Sequence, residues 1–136
     1  MLVSHDAIHA GLAELEARLA DAIPDDGLPQ ARARLLAADL TRRNALRELL
    51  VVLARRSDSA AAEIIGNLVD TRGHLDSFLN QYLSRWSNGE AMDHWAQYRL
   101  AAREKIDMMR RCLATEVVLL GRVERLSPLG DAPRAA

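Results

Sequence analysis

Polar residues interrupt the apolar stripes of the helices that this sequence predicts, and their types could do metal chemistry. They are His5, Arg43, Arg47, His74 and Glu116. Imidazole and carboxylate groups are the donors with which helical bundles hold metal ions in an inward polar layer. A guanidinium stays protonated and offers only hydrogen-bond donors, so an arginine cannot serve as a metal ligand. The sequence therefore predicts a polar layer with an incomplete set of metal donors.

Four helices must position these residues, and proline, glycine and serine mark where each one ends. The predicted helices cover roughly residues 4–22, 29–56, 60–86 and 87–126. In the first, Ile8, Leu12, Leu15 and Leu19 recur at the spacing of a helix with one buried face. Short links between four such helices predict an all-α fold, an up-down-up-down antiparallel four-helix bundle. Residues 1–126 form its single domain, and residues 127–136 are predicted to be a disordered tail.

The second helix has no strong apolar residue at its middle. A stripe through Leu36, Leu40 and Leu50 also passes through Arg43 and Arg47, which places both arginines toward the inside. Residues equally far from a shared turn lie at one depth in antiparallel helices. Counting from a turn near residue 26 sets His5 opposite Arg47.

The last helix leaves two arrangements open. Its stripe from Leu113 to Leu120 passes through Glu116, which would point inward. Alternatively Glu116 turns to the flank and Val117 lies inside. Glu116 lies much further from the turn between the third and fourth helices than His74 does. The two residues can lie at one depth only if the connection between these helices is long enough to make up most of that difference.

Composition excludes several classes of function. The chain has 136 residues, with 18 basic against 19 acidic residues and a net charge of −1, which argues against a nucleic-acid surface. The paired arginines at 42–43, 55–56 and 110–111 are interpreted as solvated helix faces. Cys112, the single cysteine, excludes an internal disulfide and is predicted to be a small core residue. Neither a signal peptide nor a run of some 20 apolar residues appears, so we expect a cytoplasmic protein without a membrane partner.

The sequence does not predict an enzyme. It has no glycine-rich phosphate loop, no cysteine–histidine spacing signal and no nucleophile elbow. A histidine phosphotransfer domain is also a four-helix bundle, but no lysine lies near His74, and Lys105 is the only lysine of the chain. Leucines on two sides of the second helix, from Leu49 to Leu53, could bury against a second copy, which would make a homo-oligomer. The sequence names neither a small ligand nor a protein partner.

Three stretches resemble the hemerythrin-like (HHE cation-binding) domains. The first, SHDAIHAGLAEL at residues 4–15, is similar to the opening helix of that family, in which an early histidine precedes an amphipathic helix. The second, LTRRNALRELLVVL at residues 40–53, is similar to the helix that carries His-x-x-x-Glu. The third, MMRRCLATEVVLL at residues 108–120, is similar to the last helix, which carries a histidine and then an acidic residue. The resemblance implies a four-helix bundle with a non-heme di-iron site.

Several of the family's ligand positions hold other residues in this chain. Arg43 and Arg47 stand where the second helix has its histidine and glutamate, and a shift of one residue gives Asn44 and Glu48 instead. Arg111 replaces the histidine of the last helix. The donors that remain, as the resemblance implies them, are His5, Glu48, Asp70, His74 and Glu116.

This pattern leads to two hypotheses. In the first, the bundle has lost its di-iron site, needs no cofactor and acts as a non-catalytic binding, sensing or structural module. Arg43 or Arg47 then neutralises Glu116, Asp70 or Glu48 within the polar layer, in which Arg111 is also expected to lie. In the alternative, the protein binds non-heme iron or another cation with the reduced, carboxylate-rich set of donors.

Overall fold

The chain is helical throughout the part that the structure describes. This computed structural model describes residues 2–126, with side chains from residue 5 onward, so the predicted tail at 127–136 lies outside the described residues. The helices are α1 (Leu2–Arg18), α2 (Leu28–Leu53), α3 (Ser59–Arg85), α4 (Asn88–Asp93) and α5 (Trp95–Glu124). No strand occurs within residues 2–126, in agreement with the predicted all-α class.

Local sequence explains where these helices begin. The side chain of Asp58 accepts a hydrogen bond of 3.2 Å from the amide of Ala61, which caps α3. The hydroxyl of Ser87 accepts one of 3.1 Å from the amide of Glu90, which caps α4. A proline lies in the first turn of α2, where its missing N–H costs nothing. Both side-chain caps lie within two residues of the helix starts that the sequence predicted, near residues 60 and 87.

Helix α2 ends at Leu53, three residues before its predicted end, and two larger differences from the predicted boundaries share one group of contacts. Helix α1 ends at Arg18 rather than near residue 22, and the predicted fourth helix is broken at His94 into α4 and α5. The break places the Trp95 indole 2.9 Å from the carbonyl of Asp21, to which it donates. Arg99 donates to the carbonyls of Leu19 and Ala20 at 2.8 and 3.1 Å. These side chains satisfy the carbonyls that follow α1 in place of a further helical turn.

Helices α1 and α2 pack side by side and run in opposite directions. Glu14 and Arg34 form an ion pair between α1 and α2, and Gly11 lies against Leu35. A Cβ atom at Gly11 would lie 3.3 Å from the Cα of Leu35, so glycine allows the two backbones to approach closely. Helix α1 also contacts α5, while α3 packs against both α5 and α2. Within residues 2–126, no helix is both long enough and apolar enough to cross a bilayer.

The core consists of two apolar clusters with charged residues between them. The larger cluster joins α1 to the first part of α2, the second half of α3, α4 and the first half of α5. Among the described side chains, the buried members of the smaller cluster come from α2, α3 and α5: Leu46, Leu53, Ile64, Leu68, Leu119 and Leu120. The sequence order along each helix shows what separates them. On α5, for example, Leu113 belongs to the larger cluster, Leu119 belongs to the smaller one, and the buried Glu116 lies between.

Candidate functional site

The buried polar residues at this division are His5, Asp39, Arg42, Thr71 and Glu116, and we call them the polar layer. Each long helix contributes at least one of them. Each of these residues lies in line with the apolar positions of its own helix. The layer therefore forms where one or two polar residues occupy positions in an otherwise apolar stripe. A polar layer flanked by apolar clusters on both sides is shielded from solvent, which strengthens the electrostatic interactions within it.

Glu116 is the centre of the polar layer. Its side chain is fully buried, and its two oxygens face two different helices. Oε1 lies 2.9 Å from Nε2 of His5 on α1, and Oε2 accepts a hydrogen bond of 2.7 Å from Nη1 of Arg42 on α2. Val117 is 39% exposed. Of the two arrangements that the sequence left open, the structure therefore has the one with Glu116 inside.

Arg42 is fully buried and bridges two carboxylates. Besides Glu116, its Nε donates to Oδ1 of Asp39 at 3.1 Å, and Arg43 donates to the other oxygen of Asp39 at 2.7 Å. Nη2 of Arg42 has no hydrogen-bond partner among the described residues. Two carboxylates thus surround one guanidinium, but one buried donor of the layer is left unsatisfied.

The ion pairs continue from the core to the surface of α3. Nη2 of the half-buried Arg43 lies 3.2 Å from Oδ1 of Asp76, whose other oxygen lies 3.6 Å from Nε of Arg72. Charges alternate in sign along the whole path from Glu116 to Arg72. Only the inner members are desolvated, so only they are expected to contribute strongly to stability or to its loss on mutation.

The layer keeps Glu116 ionised. Burial alone would raise the pKa of this carboxyl, but the hydrogen bond with His5 and the charge of Arg42 outweigh burial and hold the pKa below its usual value of 4.5. The pKa of the neighbouring Cys112 thiol is raised, first by burial and then by the negative charge of Glu116. Cys112 is half-buried against the larger cluster and stays a protonated thiol, as expected of a packing residue.

The structure brings together only two of the five predicted metal donors. His5 and Glu116 are in contact, whereas Glu48, Asp70 and His74 are exposed to solvent. The arginines predicted for the layer also differ in position. Arg43 lies at its edge, while Arg47 and Arg111 are exposed, so their predicted place in the core is corrected.

The correction on α2 has a geometric cause. The contact of Glu14 with Arg34 centres the α1–α2 pair near residue 24 rather than 26, which moves the partner of His5 from Arg47 toward Arg42 and Arg43. The helix is also rotated by one residue from the predicted stripe. Leu40, predicted to be core, is 58% exposed, and the pair 42–43, predicted to be solvated, has one fully buried member.

Asp39 and Arg42 are the functional candidates that sequence reasoning missed. The buried stripe of α2 runs through Leu35, Asp39, Arg42, Leu46 and Leu53. The leucines of this stripe were a signal in favour of it. However, the predicted stripe through Leu36, Leu40 and Leu50 also contains leucines, and each stripe contains two charged residues, so α2 alone does not distinguish them.

The residues of the layer do not fit a di-iron centre. A pair of iron ions needs several imidazole and carboxylate ligands that converge from the helices, and here one histidine and one glutamate converge. The guanidinium of Arg42 already takes one oxygen of Glu116 and would repel a cation at that distance. Among the described residues, no group of three or more histidine, cysteine or acidic side chains is arranged to hold a metal ion.

A second buried arginine, Arg32, lies away from the polar layer, at the corner between α3 and α4. Arg32 donates to the carbonyl of Trp86 at 2.5 Å and to Oδ1 of Asn88 at 2.8 Å, which fixes the corner between α3 and α4. Its guanidinium also lies 5.1 Å from the ring centre of Tyr82, whose hydroxyl is hydrogen-bonded to that of Tyr98. Burial raises the pKa of both phenols, so they remain protonated.

Comparison of the chain with models of known protein families, with curated proteins and with solved structures finds no match. The assignment of a function therefore depends on the geometry of the polar layer and of the surface.

Proposed function

We propose that this protein is a non-catalytic helical-bundle module of hemerythrin-like architecture, in which an arginine–carboxylate–histidine network stands where related bundles hold iron. Its role is binding, sensing or structural. The observation that carries this proposal is the fully buried Arg42, which donates to Glu116 at 2.7 Å while His5 approaches the other oxygen of the same carboxylate. Because both oxygens of this carboxylate already have partners, neither is free to coordinate a metal ion.

The packing of the helices supports the bundle. The contacts of α1 with α2, of α2 with α3, of α3 with α5 and of α5 with α1 close a ring of four long helices. An up-down-up-down bundle has this order of neighbours. The short α4 then belongs to the connection between the third and fourth helices of the bundle. A long connection at this place is what the sequence required for Glu116 to lie at the depth of the polar layer.

The alternative function is that of a metal-binding bundle, in which non-heme iron or another cation is held by the reduced, carboxylate-rich set of His5, Glu48, Asp70, His74 and Glu116. It would require Arg42 to leave Glu116 and further donors to turn inward. Since Glu48, Asp70 and His74 are exposed, this rearrangement would cost most of the contacts within the layer.

Metal content and thermal stability together test the proposal. Protein purified from iron-supplemented cells is expected to contain far less than one transition metal ion per chain by elemental analysis. Adding ferrous iron or zinc should leave the melting temperature unchanged, since only a ligand that binds the folded state raises it. The matched control is His5→Gln, which removes the one buried imidazole of the layer. Iron near one or two ions per chain, lost in His5→Gln, would support the alternative and overturn the proposal.

A further inference from the structure

The outer face of α5 carries a regular line of exposed residues. Their positions alternate at intervals of four and three, and we call them the α5 stripe: Leu100, Glu104, Asp107, Arg111, Ala114 and Val118. At about 100° per residue, the α5 stripe lies on the side of the helix opposite to the buried Ala102 and Met109. Leu100 is 71% exposed and Val118 is 59% exposed. Alternation of four and three is the spacing of the contact line between two paired helices.

The α5 stripe has the same spacing when it is read in either direction. Its centre is at the level of residue 109: Leu100 and Val118 are each nine residues away from it, and Asp107 and Arg111 are each two residues away. Two identical helices that pack antiparallel about a twofold axis at this level place residues at equal distances opposite each other. Leu100 then faces Val118 of the second copy at both ends of the contact, and Asp107 faces Arg111 of the second copy at its centre.

The charges of the α5 stripe are available to a second copy. Among the described residues, Glu104, Asp107 and Arg111 form no ion pair within their own chain. Arg110, which lies beside the proposed axis, is already bound to Glu16 of α1 at 2.8 Å, so its charge is compensated where two copies approach each other. In a parallel pair each charge of the stripe would face the same charge of the second copy. The charges therefore select the antiparallel arrangement.

The surface that the sequence predicted for a second copy, from Leu49 to Leu53 on α2, is used within the chain. Leu53 is buried, and Leu49 and Leu50 are half-buried against the smaller cluster. Of this stretch only Val51 is exposed. Single exposed apolar residues are common on the surfaces of monomers and need no partner. The α5 stripe differs, because two exposed apolar residues and two opposite charges lie there in one line.

We propose that two copies of this chain pair through the α5 stripe, with their α5 helices antiparallel. An identical helix supplies, in reverse order, the apolar and charged positions that the stripe needs. The contact runs over about 27 Å of each helix. This is small for a specific interface, so we expect a dissociation constant on the order of 10 μM. At about 1 μM the chain is then mostly a monomer, and unfolding and hydrogen exchange measured there report on the single chain. The pairing does not depend on the function of the polar layer.

Sedimentation equilibrium of the full chain tests the pairing over a concentration series on both sides of that constant. The weight-average mass of wild type should rise from the chain mass of 15.0 kDa toward twice that mass. Val118→Glu places a carboxylate against Leu100 of the second copy and should weaken pairing at least about tenfold. The control is Leu40→Glu, at a position of α2 that is 58% exposed, which should keep pairing within about twofold of wild type. Circular dichroism should show the same helix content in all three proteins.

Charge variants test whether the partner is a second copy. Asp107→Arg leaves two cations at the centre of its stripe and Arg111→Asp leaves two carboxylates, so each variant alone should pair at least about tenfold more weakly than wild type. An equimolar mixture of the two should regain pairing within about threefold of wild type, because each cation then faces a carboxylate. The variant with both substitutions exchanges the charges and should pair like wild type. A mass that stays at the monomer value at every concentration, equal pairing by Val118→Glu, or no recovery in the mixture would contradict the proposal.

Discussion

At the scale of single residues, the unusual feature is a carboxylate that is buried and fully charged. Glu116 keeps its charge because His5 and Arg42 approach it from two other helices, so its ionised state depends on the tertiary structure. Arg42 depends on it in turn, since a guanidinium cannot give up its proton when it is buried. Each residue thus supplies the other with a partner of opposite charge in the core.

Removal of either member of this pair should leave the other buried with fewer partners of opposite charge, so the two effects should not add. Glu116→Ala and Arg42→Met are each expected to destabilise the protein by about 3–5 kcal/mol, because each takes a partner away from a buried charge. The double variant should lose less than the sum of the two. Chemical denaturation of the four proteins measures the coupling. Additive effects would show that the two charges do not stabilise each other. Glu48→Ala, at an exposed position of α2, is the control and should change stability little.

Acid should weaken the fold through Glu116. The pKa of this carboxyl is lowered in the folded protein below the value of 4.5 that it has when unfolded, so its contribution is present above about pH 4.5 and is lost as the pH falls through the folded pKa. The melting temperature should therefore drop more steeply below pH 4.5 in wild type than in Glu116→Gln. The exposed acids Glu14 and Glu16, whose pKa values are also lowered, remain in both proteins and cancel in the comparison. If the melting temperatures of the two proteins fall in parallel as the pH is lowered, the acid sensitivity comes from those other groups and not from Glu116.

At the scale of secondary structure elements, helix formation could be predicted from the sequence, but the rotation of α2 could not. Apolar spacing and turn residues are local, and they predicted four long helices whose starts lie close to the caps at Asp58 and Ser87. The face that α2 buries is decided by its neighbours. The carboxylate of Glu116 attracts Arg42, and this attraction is visible only when residues 74 positions apart are placed together. The same limit applies to the end of α1.

The end of α1 should depend on side chains from α5. Arg99 donates to the carbonyls of Leu19 and Ala20, near the negative end of the α1 dipole. Arg99→Met keeps the stem but removes both hydrogen bonds, and we expect a loss of about 1–2 kcal/mol by denaturant unfolding. Hydrogen exchange of the amides in the last turn of α1 should rise in the same variant. Arg111→Met, on an exposed face of α5, is the matched control. An unchanged exchange pattern would show that α1 ends there without help from Arg99.

At the scale of the whole molecule, the polar layer divides the core into two apolar clusters. Among the side chains that the structure describes, those of α1 belong to the larger cluster, and the smaller cluster is formed by residues of α2, α3 and α5. These three helices pass through both clusters and through the layer. Hydrogen bonds between charged groups are directional, so the layer also selects one register of these helices in a way that leucine contacts do not.

The continuity of these three helices leads us to expect that the two clusters unfold together. Trp86 and Trp95 both belong to the larger cluster, so tryptophan fluorescence reports on that end of the molecule, while circular dichroism at 222 nm reports on all helices. In a denaturant titration of wild type the two transitions should coincide, as they do when unfolding is two-state. The control is Leu53→Ala, which opens a cavity in the smaller cluster away from both tryptophans. If the layer and the shared helices couple the clusters, this substitution should shift both transitions equally. A circular dichroism change that precedes the fluorescence change would show instead that the smaller cluster opens independently.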